Sequence, residues 1–174
     1  FAMKSAVTIS LVPEARGGPF VFWDDLAAGC AHAAELGFDA VEIFPPGTEA
    51  LNITHVAKLL DAHGLKCAAV GTGAGWVKHK LRLTDPDAAV RQRAIDFVSE
   101  IIDAAGTLGA PAIIGSMQGR WGDGVERDQA LDWLGEGLAT LAERATRLGV
   151  PLLYEPLNRY ETNLFNRQGE AATF

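Results

Sequence analysis

Long apolar runs are missing from this chain: nothing in its 174 residues approaches the roughly 20 consecutive apolar positions of a membrane span. The start has no basic stretch followed by an apolar one, the pattern of a secretory leader. Cysteine is scarce. Cys30 and Cys67 lack metal-like spacing and make no disulfide framework, so a reducing, cytoplasmic setting is expected. Basic residues are outnumbered, 15 Lys and Arg against 22 Asp and Glu, which leaves a net charge of −7. An acidic chain with no basic run is a poor match for a nucleic-acid backbone, and neither nucleic acid nor membrane is expected as a partner. What remains is an ordinary globular composition, 48% hydrophobic and 21% charged, which excludes a disordered tail or a collagen-like fibre. A chain of this length buries roughly 70% of its unfolded surface, enough for one core without staples. Phe1-Ala2-Met3 reads as a tag remnant before a native Met3, and residues 4–174 as one domain.

An internal rhythm sets the fold class. Four helix-like segments stop at Gly37, Gly64, Gly109 and Gly149, and an apolar, β-prone run begins two or three residues after each. Glycine just past a helix can take the left-handed conformation that ends it. The spacing fits repeated β-α units. Strands are expected at Ser5–Val12, Ala40–Phe44, Lys66–Gly71, Ala112–Ser116 and Leu152–Glu155, short and nearly all apolar, as strands buried on both faces are. Helices are expected near Trp23–Leu36, Ile53–His63, Asp87–Leu108 and Arg127–Leu148, with the beginning of another at Gln168–Phe174. In the third, Val90, Ala94, Phe97, Val98, Ile101, Ile102, Ala105 and Leu108 form one stripe, and Thr84-Asp85-Pro86 offers a cap and a first-turn proline.

Alternating strands and helices mean an α/β fold with a parallel sheet and right-handed crossovers. Two sheets remain open at this point. Five units suit the length of an open, five-stranded flavodoxin-like sheet, whereas a closed (β/α)8 barrel typically needs ~250 residues. Against the open sheet, the first strand is followed by no glycine-rich phosphate loop but by the long, proline-bounded Pro13–Phe20 segment. Arg82, Arg120 and Arg127 likewise have no such loop beside them to organise a phosphate site, so an unphosphorylated ligand is expected.

The densest chemistry follows the fifth predicted strand, in Tyr154-Glu155-Pro156-Leu157-Asn158-Arg159-Tyr160-Glu161. Glu155 stands where a buried strand emerges, the edge at which parallel folds bind ligands. A carboxylate there must be paired, protonated or bound to a cation. With Asn158, Arg159 and Glu161 it suits a polyhydroxylated or carbonyl compound beside a hard divalent ion. Equally, Glu155 and Arg159 can form a local ion pair, with Glu161 merely solvated.

Glu155-x-x-Asn158-Arg159-Tyr160-Glu161 resembles the E-x-x-N-R-[FY]-E segment of the sugar phosphate isomerase/epimerase family, closest to ketose 3-epimerases of the tagatose and psicose type on the xylose-isomerase-like TIM barrel. Ala40-Val41-Glu42-Ile43, Leu83-Thr84-Asp85-Pro86-Asp87 and Ile114-Gly115-Ser116-Met117-Gln118-Gly119 extend the resemblance over consecutive units. It implies a metal-dependent proton transfer beside a carbonyl, through an enediolate, on a small sugar substrate. Glu155 is then both catalytic and a ligand to manganese, cobalt or magnesium, and Glu161 contacts the substrate. The resemblance covers five of eight barrel units. The family's other metal ligands, an Asp, a His and a second Glu, come from the sixth to eighth strands, which the 174 residues do not include.

Other residues have two readings each. Glu42 ends the second strand as Glu155 ends the fifth, and lines a pocket or bonds a neighbouring strand. His79, Trp76 and Trp121, in loops after the third and fourth strands, wall a sugar pocket or pack the rim. Ser116 and Gln118 are candidates for substrate hydroxyls. Phe22 and Trp23 read as helix-docking residues. Alternatives on the same barrel are a hydroxypyruvate isomerase-like or inosose dehydratase-like enzyme; a DNA-repair nuclease on it would need a basic face. From another class, a catalytically inactive half-barrel would serve as a binding module or pair with itself through open strand edges, so a homo-oligomer is one expectation.

Overall fold

The apolar runs pair as parallel strands in the computed structural model, which describes residues 3–174. Phe1 and Ala2, two of the three residues read as a tag remnant, lie outside the described residues. Strands β1 (Ala6–Ser10), β2 (Phe22–Trp23), β3 (Ala40–Phe44), β4 (Lys66–Gly71), β5 (Ala112–Ile114) and β6 (Leu152–Tyr154) form one sheet in the order β2-β1-β3-β4-β5-β6. The helices are α1 (Leu26–Glu35), α2 (Ile53–His63), α3 (Ala74–His79), α4 (Ala88–Thr107), α5 (Arg127–Arg147) and α6 (Gln168–Thr173).

That strand order decides between the two candidate sheets. A doubly wound sheet reverses direction at a switch point. Here β1, β3, β4, β5 and β6 follow one another without reversal, as adjacent staves of a barrel wall do. Right-handed crossovers therefore carry α1, α2, α4 and α5 to the same face. The open flavodoxin-like alternative is overturned; the sheet is part of a (β/α) barrel. Among the described residues no helix is long and apolar enough to cross a membrane.

All four junction glycines are left-handed, with φ of 81° at Gly37, 66° at Gly64, 66° at Gly109 and 71° at Gly149. Each ends a helix, so the rhythm of the sequence is the rhythm of the fold. The stripe on α4 is buried as expected, with Ala94, Val98, Ile101, Ile102 and Ala105 packed against the sheet residues Ile43, Val70 and Ile114.

Three expectations need correction. Phe22 and Trp23 do not open a helix. They pair with Ile9 and Ser10 as the short edge strand β2, and Asp25 caps α1 by accepting from the Ala28 N–H at 3.0 Å. The segment after β4, expected as a loop, winds into α3 and stops at Lys80 in the left-handed region. The cap of α4 is Asp87, which accepts from the Ala89 N–H at 2.8 Å; Pro86 precedes it, and Asp85 is paired with Arg82 instead.

One close approach is demanding. A Cβ on Gly29 of α1 would lie 2.8–3.0 Å from side-chain atoms of fully buried Ile9. Gly29→Ala should therefore lower stability, by up to about 2 kcal/mol, since overpacking of roughly 1–3 kcal/mol is set against a helix-propensity gain of about 1 kcal/mol. Gly169→Ala on α6, with nothing within 4 Å, should not lower it. Urea denaturation of the two variants checks both.

Candidate active site

Parallel strands that advance in one direction bring all their carboxyl ends to one rim. At that rim lies a cavity of about 320 Å3, lined by Thr8, Glu42, Phe44, Gly71 and Ser116 and by Glu155, Leu157 and Glu161 from the segment after β6. Such a volume suits a small ligand. Phe20, from the proline-bounded loop, closes one side against Phe44, their ring centroids 5.4 Å apart.

Glu155 is held by its backbone. Its N–H donates to the Ile114 carbonyl at 2.9 Å, continuing the β5–β6 ladder one residue past the strand. The fully buried Gln118 amide donates to the Gly115 carbonyl at 2.9 Å and to the Glu155 carbonyl at 3.1 Å, and accepts the Tyr154 hydroxyl at 2.5 Å. Burial pushes the Tyr154 phenol far up, so it stays a donor. The Glu155 carboxylate lies over Gly115, where an added Cβ would stand 3.0 Å from Oε2. Gly71 and Gly73, like Gly115, line this cavity with bare backbone.

Three carboxylates share the cavity: Glu42, Glu155 and Glu161. Partial loss of solvent raises the proton affinity of Glu155, and the Glu161 charge raises it further. Glu42 is also pushed up, first by burial and then by the Glu155 charge, while the Thr8 hydroxyl beside it eases the ionised form. Acids held nearer to neutral pH in this way are suited to take and return protons.

The structure brings some of the expected residues together and separates others. Glu42, Glu155, Glu161 and Ser116 line the cavity. Asn158 stands behind it, donating to the Glu161 carboxylate and accepting from the Tyr160 N–H at 2.9 Å. Arg159 turns away and stacks on Tyr160, with 5.0 Å from guanidinium to ring centroid; it forms no ion pair with Glu155 among the described residues. Gln118 is a buried brace rather than a lining residue. Trp121 is tied to Asn163 by its backbone N–H and its indole, both at 3.0 Å, and so anchors two loops beside the cavity rather than lining it. His79 is not brought here: it ends α3 against Phe97, in a shallow depression of its own. Thr8, Phe20 and Thr72 line the cavity without having been anticipated. For Thr8 there was a signal, a polar residue inside an apolar strand, directly across from Glu42 in register.

The donor set does not make a metal centre by itself. Among the described residues no group of three or more His, Cys, Asp or Glu is placed to hold an ion. Manganese, cobalt or magnesium would find a hard oxygen in Glu155 but not a complete ligand set.

A raised carboxyl opposes folding as it ionises. The native state holds its proton above the pH at which the unfolded chain has lost it, so this contribution to stability falls as pH rises through that window. Glu42→Gln should consequently be more stable than the parent at pH 7, the difference shrinking toward pH 4. Denaturant titrations at the two pH values check the sign.

Comparison with known proteins places the chain. The family described as xylose isomerase-like TIM barrel matches residues 30–174. The D-psicose 3-epimerase of Agrobacterium fabrum is 27% identical over 167 residues, covering 92% of this chain and 54% of that protein. The L-ribulose 3-epimerase of Mesorhizobium japonicum is 28% identical over 154 residues, covering 86% and 50%. The chain thus spans about half the length of these curated relatives. The crystal structure of D-psicose 3-epimerase with D-tagatose from Clostridium cellulolyticum H10 superposes with a TM-score of 0.74 at 20% identity, covering 97% of this chain and 57% of that one. Strand order, rim cavity and family match agree, and the chain belongs to the xylose isomerase-like TIM barrel family.

Proposed function

We propose that this chain carries the first part of a sugar epimerase or isomerase site of the ketose 3-epimerase kind, with Glu155 as the residue that moves the proton. The observation that carries the reading is the placement of the Glu155 carboxylate, at the carboxyl end of β6, over Gly115 and beside two further carboxylates in one cavity. The similar proteins named D-psicose 3-epimerase and L-ribulose 3-epimerase support it.

The chemistry follows from carbon acidity. A hydrogen on the carbon beside a ketone leaves when a base takes the proton and the C–H electron pair moves toward the carbonyl, giving an enediolate. Glu155 takes that proton. Partial desolvation makes it a stronger base than a free glutamate, and the Gln118 brace fixes its backbone against β5. Returning a proton to the opposite face inverts the carbon; returning it to the neighbouring carbon isomerises the sugar. Glu161, which accepts a hydrogen bond from Asn158, would accept from substrate hydroxyls. A divalent ion, when bound with Glu155 as one ligand, would stabilise the developing oxyanion.

Two measurements test this. Incubated in deuterium oxide with manganese and D-psicose or D-fructose, the protein should exchange the C3 hydrogen, and Glu155→Gln should slow that exchange by about 10²–10⁴-fold. Proton NMR reads the exchange directly; no exchange in the parent, or full exchange in the variant, overturns the proposal. In the metal-free protein, a carbon-13 NMR titration should find the midpoint of the Glu155 carboxyl above the ordinary glutamate range. In Glu161→Gln it should move to lower pH, because the charge that raises Glu155 is gone.

A further inference from the structure

A second cavity of about 300 Å3 adjoins the first and shares Ser116 and Glu161 with it. Its walls are Trp76 from α3 and Tyr160, with Arg82 and Arg120 between them. We infer that this cavity is a subsite for a second, uncharged sugar ring attached to the reacting sugar; the inference rests on the function proposed above.

Charge decides against a phosphate. Arg82 is already paired with Asp85, Nε to Oδ2 at 2.8 Å, and its guanidinium lies 6.0 Å from the Trp76 ring centroid. Arg120 has no ion pair among the described residues, but the Glu161 carboxylate lines the same cavity. One free cation beside one carboxylate leaves little net field for a dianion. Aromatic walls with several fixed donors, a carboxylate acceptor and the Ser116 hydroxyl match a ring that presents both C–H faces and hydroxyl edges.

The wall is also built rather than incidental. Gly119, just before Arg120, has φ of 83°, and a Cβ on it would collide with Thr84 Oγ1. Thr84 accepts from the Arg120 N–H at 2.9 Å and donates to its carbonyl at 3.1 Å, while Thr162 donates to the Gly119 carbonyl at 2.7 Å. Both threonines are at most 1% exposed. Two buried hydroxyls thus hold the strap that carries Arg120, joining the β5–α5 loop to the segment after β6. A preformed wall lowers the ordering cost of binding.

Titration calorimetry of the full chain with D-fructose, isomaltulose (fructose bearing glucose on its O6) and fructose 6-phosphate tests the inference. Isomaltulose should bind at least tenfold more tightly than fructose, and Arg120→Ala and Tyr160→Ala should each reduce that ratio several-fold. Both side chains are exposed, and circular dichroism checks that the variants fold. Equal binding of isomaltulose and fructose, or a ratio unaltered in both variants, overturns the subsite while the sugar reading stands. Preferred binding of fructose 6-phosphate, lost in Arg120→Ala, overturns it in favour of an anion site. Binding of none of the three sugars overturns the subsite and the proposed function together.

Discussion

The buried amide of Gln118 is the contact on which the site depends. Short parallel strands end in loops, and a loop alone does not fix a side chain in one place. Gln118 joins the first residue past β5 to the first residue past β6 through its two N–H donors, and the Tyr154 hydroxyl satisfies its oxygen. The bond to Gly115 is buried and the other two are partly buried, and an unmet polar group in the interior would cost about 1–3 kcal/mol. Losing one partner therefore penalises the others, and the two strand ends behave as a unit.

Against this well-satisfied frame stands a cavity that is electrostatically ill at ease. Loss of solvent works against the ionised forms of Glu42 and Glu155, and the Glu155 charge adds to this at Glu42 as the Glu161 charge does at Glu155. No lysine or arginine lines that cavity. The fold supports the conflict because its core lies elsewhere, between the sheet and the helices α1, α2, α4 and α5, where the buried residues are apolar. Uncompensated acid at one rim and a satisfied apolar interior behind it are what a binding site for a cation or a proton-donating ligand requires.

Much of this was legible in the residues, and the limit is set by distance along the chain. Local signals carried the helices: the four glycines turned left-handed where they stood, and the α4 stripe was buried as spaced. Glu155 could be placed because it stands just past a strand, and Glu161 because the segment after it resembles a known family; Glu42, expected at a strand end, lies in the middle of β3 opposite Thr8. Gln118 was read as a substrate contact because its true partners, Tyr154 and the Glu155 carbonyl, are 36 and 37 residues away. Thr84-Asp85-Pro86 was read as offering a cap for the same reason; the Thr84 hydroxyl instead serves Arg120, 36 residues on. Phe20 reached the cavity through a loop whose path no local pattern records. His79 was placed on the active rim by assuming a loop, and the helix that forms there carries it to Phe97.

The glycines under the carboxylates have a consequence for how such a site can change. Gly71, Gly73 and Gly115 line the cavity, and the spaces above them are bounded by Phe44, the Ser116 hydroxyl and Glu155. None of the three has the positive φ that would exclude other residues. A single methyl at any of them would reshape the chamber from below without replacing a charged group. Variation at these three positions would redraw the space around the carboxylates in small steps, with all three glutamates still in the chain.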